Sequence, residues 1–184
     1  MTSSPRDASS QGRRPTVLVV DNETYLLRLA EVAMGKSGFA VVTAENGKEA
    51  LEVFQAARPD IVLLDMNMPV MDGCEACSRL RRIPAGKHVP ILMMTGYGTV
   101  DRALEAMRRG ASDFLTKPLQ IEQVEDKIAD ALAKAAAEAD ALKAQHERAQ
   151  AKAKAAEQKF EERSASFEDL RKQIEQSPAQ KADR

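Results

Sequence analysis

The chain has 184 residues, 43% of them apolar, and a formal net charge of −1 at pH 7. That is room for one ordinary domain plus an appendage, with enough apolar material for a core. The near-zero charge, the absence of Trp and an aromatic content of 4% remove the electrostatic and stacking reasons to expect nucleic acid or an anionic membrane as a partner.

Residues 1–14 carry Ser, Arg and Gln without an apolar centre. They read as a disordered leader of a cytoplasmic protein rather than a secretory signal, and no apolar run approaches membrane-spanning length. From Thr16 to about Ala133, short apolar runs alternate with helical stretches. The runs are Val17–Val20, Phe39–Val42, Ile61–Leu64, Ile91–Met94 and the shorter Asp113–Leu115. Four are continuously apolar, as parallel strands covered on both faces should be. Between them, Leu26/Leu29/Ala33, Ala50/Leu51/Phe54, Cys74/Cys77/Leu80, Ala103/Leu104/Met107 and Val124/Ile128/Leu132 recur at helical spacing. Gly38 and Gly110 stand where left-handed C-caps would close the first and fourth helices. Five such units predict an α/β fold, an open doubly wound parallel sheet.

After about Ala133, Ala, Lys, Glu and Gln dominate for some forty residues, a helix-forming composition. From Ile128 to Gln176 the apolar residues other than Ala are Ile128, Leu132, Leu142, Phe160, Phe167, Leu170 and Ile174. All fall on one unbroken 3-4 spacing, the signature of a coiled coil. His146 and Arg163 share that seam, which makes it a thin one. Ser177-Pro178 is expected to end the helix.

The two cysteines, Cys74 and Cys77, have C-x-x-C spacing. A redox pair or half a metal site would suit it, but no second Cys pair exists, and His88 and His146 lie far off in sequence. They read as two small apolar residues on one helical face.

Each strand run ends in a polar group: Asp21 after Val20, Asp65 after Leu64, Thr95 after Met94, and Lys117 after Thr116. In an open parallel sheet, ligands bind outside the carboxyl ends of the strands. Two carboxylates, a hydroxyl and an ammonium gathered there suit a divalent cation plus a phosphoryl group. The stretches Leu18-Val-Val-Asp-Asn-Glu23, Asp60-Ile-Val-Leu-Leu-Asp-Met-Asn-Met-Pro-Val-Met-Asp-Gly73, Met94-Thr-Gly96 and Asp113-Phe-Leu-Thr-Lys-Pro118 resemble the receiver domains of two-component response regulators. The resemblance covers residues 15–133. It leaves 134–176 as a helical, coiled-coil segment and 177–184 as a disordered tail.

The resemblance implies a flavodoxin-like five-stranded sheet of order 2-1-3-4-5, followed here by a long C-terminal helix. It implies that Asp65 accepts the phosphoryl group and that Mg²⁺ is held by Asp21, Asp65 and the backbone carbonyl of Asn67. Thr95 would donate its hydroxyl to a phosphoryl oxygen, and Lys117 would pair with Asp65 and then with phosphate. Gly96 would keep the approach open, Phe114 would swing inward on activation, and Pro118 would follow a cis bond that aims Lys117 inward. The chain departs from the family at Asn22, where a second acid usually follows the first strand. Asn22 can still offer a carbonyl oxygen to the metal, but one charge is lost, so Mg²⁺ affinity should fall.

The expected function is therefore a phospho-accepting response regulator, not an enzyme beyond its own phosphorylation and dephosphorylation. A sensor histidine kinase or phosphotransfer protein would supply the group, and a downstream protein target would read it. Neither nucleic acid nor membrane is expected as a partner, and the C-terminal helix could form a homodimer. The alternative is a degenerate, unphosphorylated receiver that serves as a coiled-coil scaffold. Flavin- or dinucleotide-binding enzymes of this fold class need a Gly- or Ser/Thr-rich loop after the first strand, and Asp21–Tyr25 is not one.

Overall fold

The computed structural model describes residues 13–96 and 100–175; most of the expected leader (residues 1–12 of 1–14) and the whole expected tail, 177–184, lie outside them. Five strands alternate with helices: β1 (Thr16–Val20), α1 (Thr24–Lys36), β2 (Ala40–Ala44), α2 (Gly47–Ala57), β3 (Ile61–Asp65), α3 (Gly73–Arg82), β4 (Ile91–Thr95), α4 (Val100–Arg108), β5 (Asp113–Thr116) and α5 (Ile121–Glu175). All pairings are parallel, in the order β2-β1-β3-β4-β5. The predicted sheet and its order are what is observed.

The strand side chains alternate between two cores, as a period of two requires. Leu18, Val20, Val62, Leu64, Ile91 and Met93 face one way and pack with Phe54, Cys77 and Leu80 of α2 and α3. Val17, Val19, Ile61, Leu63, Leu92 and Met94 face the other way and pack with Leu27 and Met34 of α1 and Val124 and Ile128 of α5. The three central strands are buried along nearly their whole length, whereas β2 and β5, at the sheet edges, are only partly covered. This is why the β1, β3 and β4 runs are uninterruptedly apolar while Thr43, Asp113 and Thr116 are tolerated at the edges.

Local signals fix the turns. Asn46 and Asp72 cap α2 and α3 by accepting backbone N–H bonds, Asn46 from Lys48 and Glu49 and Asp72 from Glu75. Gly38 and Gly110 have φ of +94° and +99°, the left-handed positions anticipated after α1 and α4. Arg81 ties α3 to the following loops through the carbonyls of Gly110, Gly86 and Val89.

The chain divides into two compact units, one through Ala137 and one from Glu138. Ile128, the first residue of the 3-4 series, belongs to the first unit and is completely buried against the sheet. Its apolar surface is already used there, so the series is available to a partner only further along. No helix among the described residues is long and apolar enough to cross a membrane.

Candidate functional site

Parallel strands deliver their carboxyl ends to one edge of the sheet. Asp21 follows β1, Asp65 closes β3, Thr95 closes β4 and Lys117 follows β5. Asp21, Asp65 and Thr95 are the buried polar residues of the molecule among those described, each no more than 4% exposed. Burying two carboxylates close together is costly unless a cation joins them. Lys117 does so: its Nζ lies 2.6 Å from Asp21 Oδ2 and 3.0 Å from Asp65 Oδ1.

The remaining carboxylate oxygens are held by backbone. Asp21 Oδ1 accepts the Glu23 N–H at 3.0 Å, and Asp65 Oδ2 accepts the Asn67 N–H at 3.1 Å. Burial pushes the Asp65 carboxyl above its ordinary range; Lys117 opposes the shift and the Asp21 charge adds to it. For Lys117, burial works against the charge, but the two carboxylates outweigh it and raise its pKa.

Thr95 pairs in register with Thr116, one step beyond the Met94–Asp65 pair. Its Oγ1 is buried with no hydrogen-bond partner among the described residues. A buried hydroxyl without a partner is costly, and a ligand oxygen would supply one. Among the described residues, a Cβ built on Gly96 would meet no atom within 4 Å. The Lys117–Pro118 peptide bond is cis. Phe114 is 38% exposed on the edge strand β5, the outward position of the residue expected to swing.

The loop after β3 carries the least predictable geometry. Asn67 is exposed, and its side-chain oxygen accepts a 2.7 Å bond from Arg102 of α4. That tie between the acceptor loop and α4 was not legible in the sequence, because nothing in the spacing of Asn67 and Arg102 relates them. Gly73 was missed as well. A Cβ there would stand 2.1 Å from the Asp65 carbonyl oxygen, and the Gly73 N–H bonds to Met66 O at 3.1 Å. Asn22 and Glu23 are both exposed just beyond the strand end; Glu23 donates its backbone N–H to Asp21 Oδ1.

The cysteines lie away from this edge. Both are free thiols, Cys77 buried and Cys74 partly so. Burial raises both pKa values, that of Cys77 to about 11. Among the described residues, no cluster of three or more His, Cys, Asp or Glu side chains could hold a metal ion.

Residues 17–129 match the family model described as the response regulator receiver domain. The chain belongs to the response regulator receiver family. Its relatives include the "Probable transcriptional regulator ycf27" of Cyanophora paradoxa, 38% identical over 112 residues that make up 61% of this chain and 46% of that protein. The Escherichia coli regulatory protein AtoC is 37% identical over 108 residues, 59% of this chain and 23% of AtoC. The chain thus spans about half the length, or less, of these curated relatives. Among solved structures, the Vibrio cholerae chemotaxis protein CheY4 aligns with a TM-score of 0.63 at 32% identity, covering 65% of this chain and 99% of CheY4.

Proposed function

We propose that this receiver is a phospho-accepting switch in which Asp65 takes a phosphoryl group from a phosphohistidine of a sensor kinase or phosphotransfer protein. The observation that carries the reading is the bridge of Lys117 between Asp21 and Asp65, together with a buried Thr95 hydroxyl that has no partner among the described residues. An Asp65 carboxylate oxygen attacks phosphorus, the donor's N–P bond breaks, and the imidazole leaves. Hydrolysis later returns the carboxylate and inorganic phosphate. Such transfer needs positioning and charge neutralisation more than covalent help. Thr95 would donate to one phosphoryl oxygen and Lys117 would pair with another. Apart from this self-catalysed gain and loss, the chain is proposed to have no enzymatic activity.

The donor set suits Mg²⁺. Asp21 and Asp65 supply two hard carboxylates, and the backbone carbonyl of Asn67 would add a third protein oxygen. The cation would neutralise charge on the transferring group. Asn22 would contribute a neutral oxygen at most. Gly96 would leave room for the donor, and Phe114 would turn inward once Thr95 is engaged.

Output is proposed to run through a downstream protein in the cytoplasm. AtoC and the ycf27 protein are regulators by name, but the chain matches less than half of either, so a transcriptional role is not carried over. The loss of a second acid at Asn22 favours one other reading, an unphosphorylated receiver acting through its helix.

One experiment separates the two. The full chain is offered radiolabelled acetyl phosphate with Mg²⁺ or with EDTA. Label that needs Mg²⁺ and disappears in Asp65→Asn supports the switch. An unlabelled wild type supports the scaffold, and label that survives in Asp65→Asn would move the acceptor to another residue.

A further inference from the structure

The second unit, from Glu138 onward, is helical through Glu175. A lone helix cannot build a core, yet this one holds large apolar side chains in the open. Leu142, Phe160, Phe167 and Leu170 are between 54% and 72% exposed. They share one 3-4 spacing, with Phe160 and Phe167 at heptad position a and Leu142 and Leu170 at d. Such a stripe needs a partner, but it does not by itself identify one.

The flanking charges do. In a parallel, in-register pair, each g residue, one before an a position, faces the e residue five positions later in the second copy. Glu138 then meets Lys143 of the second copy, and Lys152 meets Glu157. By symmetry each pair occurs twice. Every other g–e combination between 138 and 173 contains at least one uncharged residue, so no like charges face each other. Lys143 also lies 3.8 Å from Asp140 of its own helix, an exposed contact that leaves it able to reach across. The helix is charge-complementary to itself.

We propose that residues 138–173 form a parallel, in-register two-stranded coiled coil with a second copy of this chain. Its grip lies between Phe160 and Leu170, where the bulky residues cluster. The Ala-rich middle, His146 and Arg163 keep it reversible. The pairing does not depend on phosphorylation of Asp65, so acetyl phosphate labelling reads separately from it.

The test uses the full chain in a background with Cys74→Ala and Cys77→Ala. Sedimentation at tens of micromolar should give a dimer, and Phe160→Glu with Phe167→Glu should give a monomer whose labelling is unchanged. Lys152→Glu should weaken the dimer roughly three- to tenfold, because two attractive contacts become repulsive, and adding Glu157→Lys should restore it. Leu170→Cys should cross-link to its own copy under mild oxidation, which only a parallel register allows. A wild-type monomer, a larger assembly, a dimer in which Leu170→Cys fails to cross-link, or a charge reversal without effect would each overturn the proposal.

Discussion

The ammonium of Lys117 lies closer to Asp21 Oδ2, at 2.6 Å, than to Asp65 Oδ1, at 3.0 Å. The reading of Lys117 as chiefly a partner of the acceptor is therefore incomplete: it is the counter-ion of the whole acidic pair. A divalent cation held by the same carboxylates would also reduce the repulsion between them. Replacing Lys117 with Met keeps the stem and removes the charge. Lys117→Met should destabilise the metal-free protein by about 1–3 kcal/mol, since two buried carboxylates lose their cation. Mg²⁺ should then raise its Tm more than it raises that of the wild type. Thermal unfolding with EDTA and with Mg²⁺ measures both, and equal Mg²⁺ shifts in the two proteins would refute the shared-cation account.

Gly73 carries a constraint of a different kind. Its Cα approaches the Asp65 carbonyl so closely that an added Cβ would sit 2.1 Å from that oxygen. The atom it would strike is backbone, which cannot rotate away. Gly73→Ala should therefore cost about 2–4 kcal/mol of stability and displace the loop that holds Asn67. Denaturant unfolding should show the lowered midpoint, and the folded fraction should take up label more slowly. An unchanged midpoint would mean that the loop can yield.

The fold was legible because its strongest signals are local and repeated. The apolar runs of β1, β3 and β4 and the glycines at 38 and 110 specify the alternating units without reference to distant residues. The four strand-end groups could be listed from the sequence because strand parallelism alone brings Asp21, Asp65, Thr95 and Lys117 to one edge. The details of the acceptor loop could not. Val70 takes φ of +69°, a conformation that β-branched residues avoid, so its residue type argues against what the chain does. The Arg102–Asn67 tie spans 35 residues and depends on where α4 docks. Ile128 opens the 3-4 series in sequence and is a core residue of the receiver in the fold, in keeping with a coiled-coil segment that begins only at residue 134.

The cysteines should be chemically quiet. With a thiol pKa pushed to about 11, Cys77 holds roughly one thiolate per thousand at pH 8, and the 3.5 Å bond from its Sγ to Arg109 O ties it down further. Alkylation of the native protein at Cys77 should be slow at pH 8 and accelerate only as the pH nears 11. Mass spectrometry of iodoacetamide-treated protein follows this directly. Rapid modification at Cys77, or an oxidised Cys74–Cys77 pair under mild oxidant, would revive the redox reading.

Asn22 tests the metal reading. It is exposed directly after Asp21, and Asn22→Asp would restore the second acid after the first strand. Asn22→Asp adds a charge, and a charge pair at about 4 Å is worth about 1–4 kcal/mol before desolvation. Mg²⁺ binding measured by calorimetry should tighten about tenfold. Identical affinities would place residue 22 away from the cation.

The Thr95 hydroxyl separates structural cost from function. In the unphosphorylated protein it is buried and has no partner among the described residues, so none of the described contacts gains from it. Thr95→Val keeps the shape and discards the polar atom. The mutant should be as stable as the wild type, or up to about 1 kcal/mol more so, because removing an unsatisfied buried group relieves its desolvation cost. The phosphorylated state should show the opposite effect, since a phosphoryl oxygen would lose its donor. Acetyl phosphate should still label Asp65, but the label should decay faster and raise the Tm less than in the wild type. Tm measured before and after phosphorylation, with label decay followed by scintillation counting, gives both halves. A Thr95→Val protein that is strongly destabilised before phosphorylation would mean that the hydroxyl has a structural partner, and the assignment to the phosphoryl group would fail.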